Sequence, residues 1–233
     1  MQKVVDYAIL RVMVIIITKI NSDKQLANVS QSLVNTEPMM AHDSGLLAVV
    51  ENNEVYQKTR SRVDSFFDGL DNTSASLVVS RQEFNLIKDG VELLHGIPED
   101  SIVVIYNSDF VIPRGAVKSM VNCLRFLYGV GIVSAMRTDA ENIARIISGN
   151  IYEPASYNKL DYEQIREQSR GDGLYSVDLV DSNLFAIRKR DLESFLSQEQ
   201  PYEGYYGLSL RKYGLVNVID TNILIRKEDE WDD

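Results

Sequence analysis

The residues of this chain best suited to chemistry stand in one short segment, Tyr106-Asn107-Ser108-Asp109-Phe110-Val111-Ile112-Pro113. A polar cluster there follows an apolar run, Ile102 to Tyr106, and precedes a proline. A carboxylate at such a strand end can hold a divalent cation through oxygen. The cation in turn bridges two phosphates and neutralises a departing diphosphate. Asn107 and Asp109 serve equally well to make a turn and cap the helix that Pro113 starts. Local spacing leaves both readings open.

The elements that would position this segment can be read from apolar patterning. Val12 to Ile17, Leu46 to Val50, Ser76 to Val79, Ile102 to Tyr106 and Gly131 to Ser134 are short, continuous apolar runs. Such runs suit strands buried on both faces, as in a parallel sheet. Between them lie helical signals. Asn21 or Ser22 can cap a helix carrying Leu26, Val29 and Leu33, and a turn containing Pro38 follows. Leu86, Val91 and Leu94 suggest a helix stopped by Gly96 and Pro98. Val117, Met120, Val121, Leu124 and Leu127 give the apolar face of another. Tyr56 to Asp71 is polar and yields no element. The alternation predicts an α/β fold with a mostly parallel, helix-flanked sheet, and ligands sit at the carboxyl ends of such strands. The polar strand ends are Thr18, Glu51, Arg81 and Asn107 to Asp109.

The second half is less regular. Tyr175 to Val180 and Phe185 to Arg188 read as strands bracketing Asp181-Ser182-Asn183. Tyr162 to Gln168, Arg190 to Leu196 and Leu208 to Tyr213 read as helices. Val216 to Ile219 and Ile223 to Ile225 read as strands, and 227–233 as an acidic tail. No repeat or flexible linker divides the chain, so one domain is expected over residues 1–233.

Composition narrows the classes. The 233 residues carry 24 Lys plus Arg against 34 Asp plus Glu, a net charge of −10, which argues against nucleic-acid binding through bulk charge. No apolar run is long enough to span a bilayer. The single cysteine, Cys123, excludes an internal disulfide and a Cys-rich zinc site, and falls on an apolar helix face. A cytoplasmic setting is expected, and peripheral membrane attachment stays open. His42 and His95 have no second His or Cys at ligand spacing.

Ser101 to Ala116 resembles the metal-binding Asp-x-Asp (DXD-like) region of GT-A fold glycosyltransferases, in particular the inverting family 2. Other segments resemble the family in the same order. Val14-Ile-Ile-Ile-Thr18 resembles its first strand. Leu47-Ala-Val-Val-Glu51-Asn52-Asn53 resembles the strand whose acidic residue contacts the nucleotide base. Arg81 to Leu94, Gly131 to Ser134, Asp181 to Lys189 and Gly207-Leu-Ser-Leu-Arg211 follow suit. The series covers about residues 12–226, each motif short and degenerate.

The resemblance implies a nucleoside-diphosphate sugar (UDP-, GDP- or dTDP-linked) as donor and Mn2+ or Mg2+ as cofactor. It implies a glycan, a lipid-linked molecule or a protein as acceptor. Residues 1–135 would bind the donor and 136–226 the acceptor. Asp109 would hold the metal, the first acid of the motif being replaced by Asn107. Thr18, Glu51, Asn52, Arg81, Lys88, Asn107 and Ser108 would line the donor site. The family's acidic pair before the Gly207 segment is missing. Glu203 is the nearest acid, with Asp178 and Asp181 the other candidate bases. That gap supports a second reading, a catalytically silent GT-A-like binding module. A nucleotidyltransferase would carry a glycine-rich loop after the first strand, and Thr18-Lys19-Ile20-Asn21 has no glycine. Homo-oligomer formation stays open.

Overall fold

Val14 to Ile20 is apolar at nearly every position because both of its faces are buried. In the computed structural model this stretch is the first strand, β1 (Val14–Ile20). The structure describes residues 14–40, 44–70, 75–86, 88–138, 142–146, 157–160, 167, 173–177, 180–196, 205–206, 210 and 213–226. After β1 come α1 (Asp23–Met40), β2 (Ser44–Val50), α2 (Asn53–Phe67), β3 (Ala75–Ser80) and α3 (Lys88–Leu93). Then follow β4 (Ile102–Asn107), α4 (Ala116–Phe126), β5 (Val130–Arg137), β6 (Asn142–Ile146) and β7 (Tyr157–Leu160). The rest are β8 (Leu174–Val177), β9 (Val180–Asp181), β10 (Leu184–Arg188), α5 (Lys189–Leu196), β11 (Tyr205–Tyr206) and β12 (Val216–Ile225).

Eight strands form one sheet in the order β3-β2-β1-β4-β10-β5-β12-β8. β3, β2, β1 and β4 are mutually parallel, as are β5 and β12. β10 enters antiparallel between β4 and β5, and β8 lies antiparallel on the far edge. Strands from both halves of the sequence therefore share a single sheet. β9 pairs with β11, and β6 with β7, as small two-stranded ribbons.

Alternation along β1 divides the core. Val14, Ile16 and Ile20 pack with Val29 and Leu33 of α1, Val55 and Val63 of α2, and Met120 and Leu124 of α4. Ile15 and Ile17 face the other way, toward Leu94, Phe185, Ile187 and Leu192. Each such side chain contributes about 1.5–3 kcal/mol by leaving water. Cys123 is buried in the first of these layers.

Several elements differ from their sequence-based expectation; Val216 to Ile219 and Ile223 to Ile225, read as two strands, are the one strand β12. The polar stretch after Tyr56 is helix α2. It buries only Val55, Thr59 and Val63, a stripe too narrow, and interrupted by a hydroxyl, to register as amphipathic. α1 runs through Pro38 to Met40 instead of turning there; a proline in the last turn forfeits one helical hydrogen bond without ending the helix. α4 starts at Ala116, because Gly115 adopts a left-handed φ of 77° as N-cap, and Pro113 sits in the turn ahead of it. The expected helices Tyr162 to Gln168 and Leu208 to Tyr213 lie largely outside the described residues, as does His42. Among the described residues no helix is long and apolar enough to cross a membrane.

The chain leaves β1 toward β2 on one side, while β4 lies on the other. The carboxyl ends of β1 and β4 thus meet where strand order reverses, which is where open α/β sheets form ligand crevices.

Candidate functional site

The loop that carries Asp109 is fastened to α1 by a polar stripe. Gln25, Asn28, Ser32 and Asn35 follow the spacing of one helix face. Gln25 Nε2 donates to Asp109 Oδ1 at 2.8 Å, and Asn28 Nδ2 to the Ser108 carbonyl at 2.9 Å. Ser32 Oγ accepts from the Ile112 amide at 2.9 Å, and Asn35 Nδ2 donates to the Ile112 carbonyl at 2.8 Å. Ser22 caps the helix, its hydroxyl accepting from the Gln25 amide at 3.1 Å. Within the loop, Asn107 Oδ1 accepts from the Asp109 amide at 3.0 Å, and Ser108 Oγ donates to the Lys19 carbonyl. The turn chemistry open to Asn107 is therefore realised but the cap is not, since Gly115 is the N-cap of α4, while Asp109 is bonded to Gln25 of α1.

A cleft of about 310 Å³ opens beside this loop, lined by Lys19, Asn21, Gln25, Asn85, Leu86, Ile105, Tyr106, Asn107, Ser108 and Ser182. Asp109 stands next to the lining and is tied to it through Gln25. The wall of the cleft is held by Glu51. Its carboxylate meets Lys19 Nζ at 2.5 Å, accepts from Asn21 Nδ2 at 2.8 Å and accepts from the Phe84 amide at 2.9 Å. Lys19 Nζ also donates to the Phe84 carbonyl at 3.4 Å. Partial burial pushes the Glu51 carboxyl up, but the hydrogen bonds from Lys19, the Phe84 amide and Asn21 outweigh it and hold the group below the ordinary glutamate value.

Next to the cleft residue Ser182, Asp181 Oδ1 accepts from the Asn183 amide at 2.7 Å and from its side-chain Nδ2. Its Oδ2 faces Arg137 at 3.8 Å, and the same guanidinium lies 5.5 Å from the centre of the Phe110 ring. Asn107 Nδ2 donates to Asn183 Oδ1 at 3.3 Å. One polar chain thus runs from the Asp109 loop to Asp181, and β11 sets Tyr205 opposite Asp181.

The sequence-predicted residues fall into three groups. Asn107 and Ser108 line the cleft, Asp109 and Glu51 are bonded to lining residues Gln25, Lys19 and Asn21, and Asp181 is linked to Asn107 through Asn183. Thr18 is fully buried and donates to the Tyr106 carbonyl at 3.1 Å instead of lining the cleft. Asn52 caps α2 by accepting from the Glu54 amide at 2.9 Å. Arg81 lies outside the lining, 3.6 Å from Glu92 and over the Phe84 ring. Asp178 and Glu203 lie outside the described residues, as does the side chain of Lys88 at the start of α3. Lys19, Gln25, Asn85 and Ser182 line the cleft without having been singled out from sequence. For Gln25 a signal existed in the polar stripe at positions 25, 28, 32 and 35.

No protein-family model matches the sequence, and no curated protein matches it. Solved structures do. A structure of GalNAc-T7 with UDP, GalNAc and Mn2+ superposes at a TM-score of 0.63 with 9% identity, over 95% of this chain and 44% of that one. The mannosyltransferase PcManGT from Pyrobaculum calidifontis, in complex with GDP-Man and Mn2+, superposes at 0.57 with 16% identity, over 94% and 58%. The fold is that of GT-A nucleotide-sugar transferases. This chain spans about half the length of those two proteins. A 4-diphosphocytidyl-2C-methyl-D-erythritol synthase from Anaerococcus prevotii gives a TM-score of 0.46 with 11% identity, over 91% and 90%.

Among the described residues no three His, Cys, Asp or Glu side chains stand close enough to hold a metal. Asp109 supplies one carboxylate, and Asn107 and Ser108 supply neutral oxygens nearby. Mg2+ is commonly bound through one or two carboxylates plus substrate phosphates, so this set fits a metal–diphosphate complex.

Proposed function

We propose that this chain is a metal-assisted glycosyltransferase of the inverting, family 2 type. It binds a UDP-, GDP- or dTDP-linked sugar across the ends of β1 and β4. The observation that carries this reading is the convergence of Lys19, Asn107 and Ser108 in one cleft at the point of strand-order reversal, with Asp109 beside it. The cleft volume of about 310 Å³ lies at the lower end of the roughly 300–1,000 Å³ of small-molecule sites.

In this reading Asp109 holds Mn2+ or Mg2+, and a bound cation supplies charge neutralisation for the departing diphosphate. Lys19 donates to phosphate oxygens from the cleft wall. Glu51 accepts from the edge of the base. The chain acts as one domain, with 1–135 holding the donor and 136–226 the acceptor. An acid on the acceptor side removes the proton of the acceptor hydroxyl as that oxygen attacks the anomeric carbon. Glu203, Asp178 and Asp181 are the candidates.

A specific observation favours the second reading, a silent binding module. Both oxygens of Asp181 are engaged by Asn183 and Arg137, which leaves it poorly placed to take a proton. Incubation of each nucleotide sugar with the protein and Mn2+, followed by phosphate chromatography, separates the two. Release of the nucleoside diphosphate supports a transferase. Donor binding without release supports the module.

A further inference from the structure

The geometry points to Gln25 as a positioning residue that sets the Asp109 carboxylate. The inference rests on the reading of Asp109 as the cation-holding residue. Both ends of the Gln25 amide are committed. Its Oε1 accepts from the Asn21 backbone amide at 2.6 Å, and its Nε2 donates to Asp109 Oδ1 at 2.8 Å. The orientation is forced, because a backbone N–H demands the oxygen and an ionised carboxylate demands the NH2. The backbone of Gln25 is fixed as well, since its own amide is bound by the Ser22 cap. The side chain therefore has little freedom to swing away from Asp109.

Two consequences follow. The carboxylate is oriented before any ligand arrives, so a metal–diphosphate complex meets a preset oxygen. One carboxylate oxygen is also committed to a neutral donor. A carboxylate in place of the Gln25 amide would add an acidic oxygen within reach of Asp109.

Calorimetry on the full chain tests this, with Mn2+ alone and with Mn2+ plus UDP, GDP or dTDP. Gln25→Ala is expected to weaken Mn2+-dependent nucleotide binding about tenfold. Gln25→Glu is expected to bind Mn2+ alone at least tenfold more tightly than the native chain, a gain that adding Asp109→Ala abolishes. Native affinity in Gln25→Ala, or no gain of Mn2+ affinity in Gln25→Glu, would overturn the proposal. A native chain that binds no nucleotide would instead sink the donor-site reading, and the Mn2+-alone comparison would still decide the role of Gln25.

Discussion

Lys19 and Glu51 meet at 2.5 Å across the ends of β1 and β2, and between them they hold both peptide groups of Phe84. Lys19 donates to the Phe84 carbonyl, and Glu51 accepts from its amide. The pair thus pins the segment after β3, including cleft residues Asn85 and Leu86, onto the strand ends.

Glu51→Gln should cost about 1–2 kcal/mol of stability at neutral pH, the range for a hydrogen-bonded charge that is partly exposed. The cost should depend on pH. The folded-state pKa of Glu51 is lowered, so its contribution is fully present above the ordinary value of 4.5 and is lost as pH falls through the folded value. Thermal unfolding of both chains from pH 7 to pH 3 should show a constant gap above about pH 5 that closes below pH 4.5. A gap that widens on acidification would contradict this.

Among the described residues Lys19 is the cation that lines the cleft, whereas Arg81 is 43% exposed, pairs with Glu92 and lies outside the lining. Lys19→Met should therefore weaken nucleoside diphosphate binding by about tenfold, as expected for one lost charge-assisted hydrogen bond of about 1.4 kcal/mol. Arg81→Ala should change it less than about twofold, the scale of an exposed ion pair. Titrations at two salt concentrations check the electrostatic origin, since the Lys19→Met chain should lose part of the salt dependence.

Ser32 stands at the middle of the α1 stripe. Its hydroxyl accepts from the Ile112 amide and donates to the Asn28 carbonyl at 2.8 Å. Ile112 is almost completely buried, so Ser32→Ala strands its N–H without water. The expected cost is about 1–3 kcal/mol in denaturant unfolding. Amide exchange at residues 108–112 should speed up more than exchange in β1.

How much of this was legible in sequence depended on the reach of each interaction. The parallel strands could be read because burial on both faces leaves a continuous apolar run, as in Val14 to Ile17 and Ile102 to Tyr106. The helix α2 was not legible, since only Val55, Thr59 and Val63 are buried, with Tyr56, Phe66 and Phe67 partly covered against the core. Nor was the insertion of β10 between β4 and β5, because Phe185 finds Ile105 and Ser134 through pairings distant in sequence. The polar loop after β4 that carries Asp109 was legible from the strand before it and the proline after it. The residues that hold it were not. The helix α1 announced itself through Leu26, Val29 and Leu33, and its polar face reads as solvent-facing until the loop it grips is known. Thr18 and Asn52 stood at strand ends as expected, yet one closes onto the Tyr106 carbonyl and the other caps a helix.

Arg188 offers a control remote from the cleft. Its guanidinium donates to the carbonyls of Leu124 and Val130 and pairs with Asp191 at 3.1 Å, tying the end of α4 to β10. Arg188→Met should destabilise the fold by about 2–3 kcal/mol, since it leaves carbonyls and a carboxylate without their donor. Nucleotide binding at a temperature where the variant is folded should stay native, which separates loss of fold from loss of site.

The most direct test of the donor site is calorimetry of UDP, GDP and dTDP against the native chain and Asp109→Ala, each with Mn2+ and with EDTA. One nucleotide should bind the native chain in a Mn2+-dependent manner, and Asp109→Ala should abolish that dependence while leaving the melting temperature within a few degrees. Mn2+-dependent binding retained by Asp109→Ala would contradict the assignment of the site.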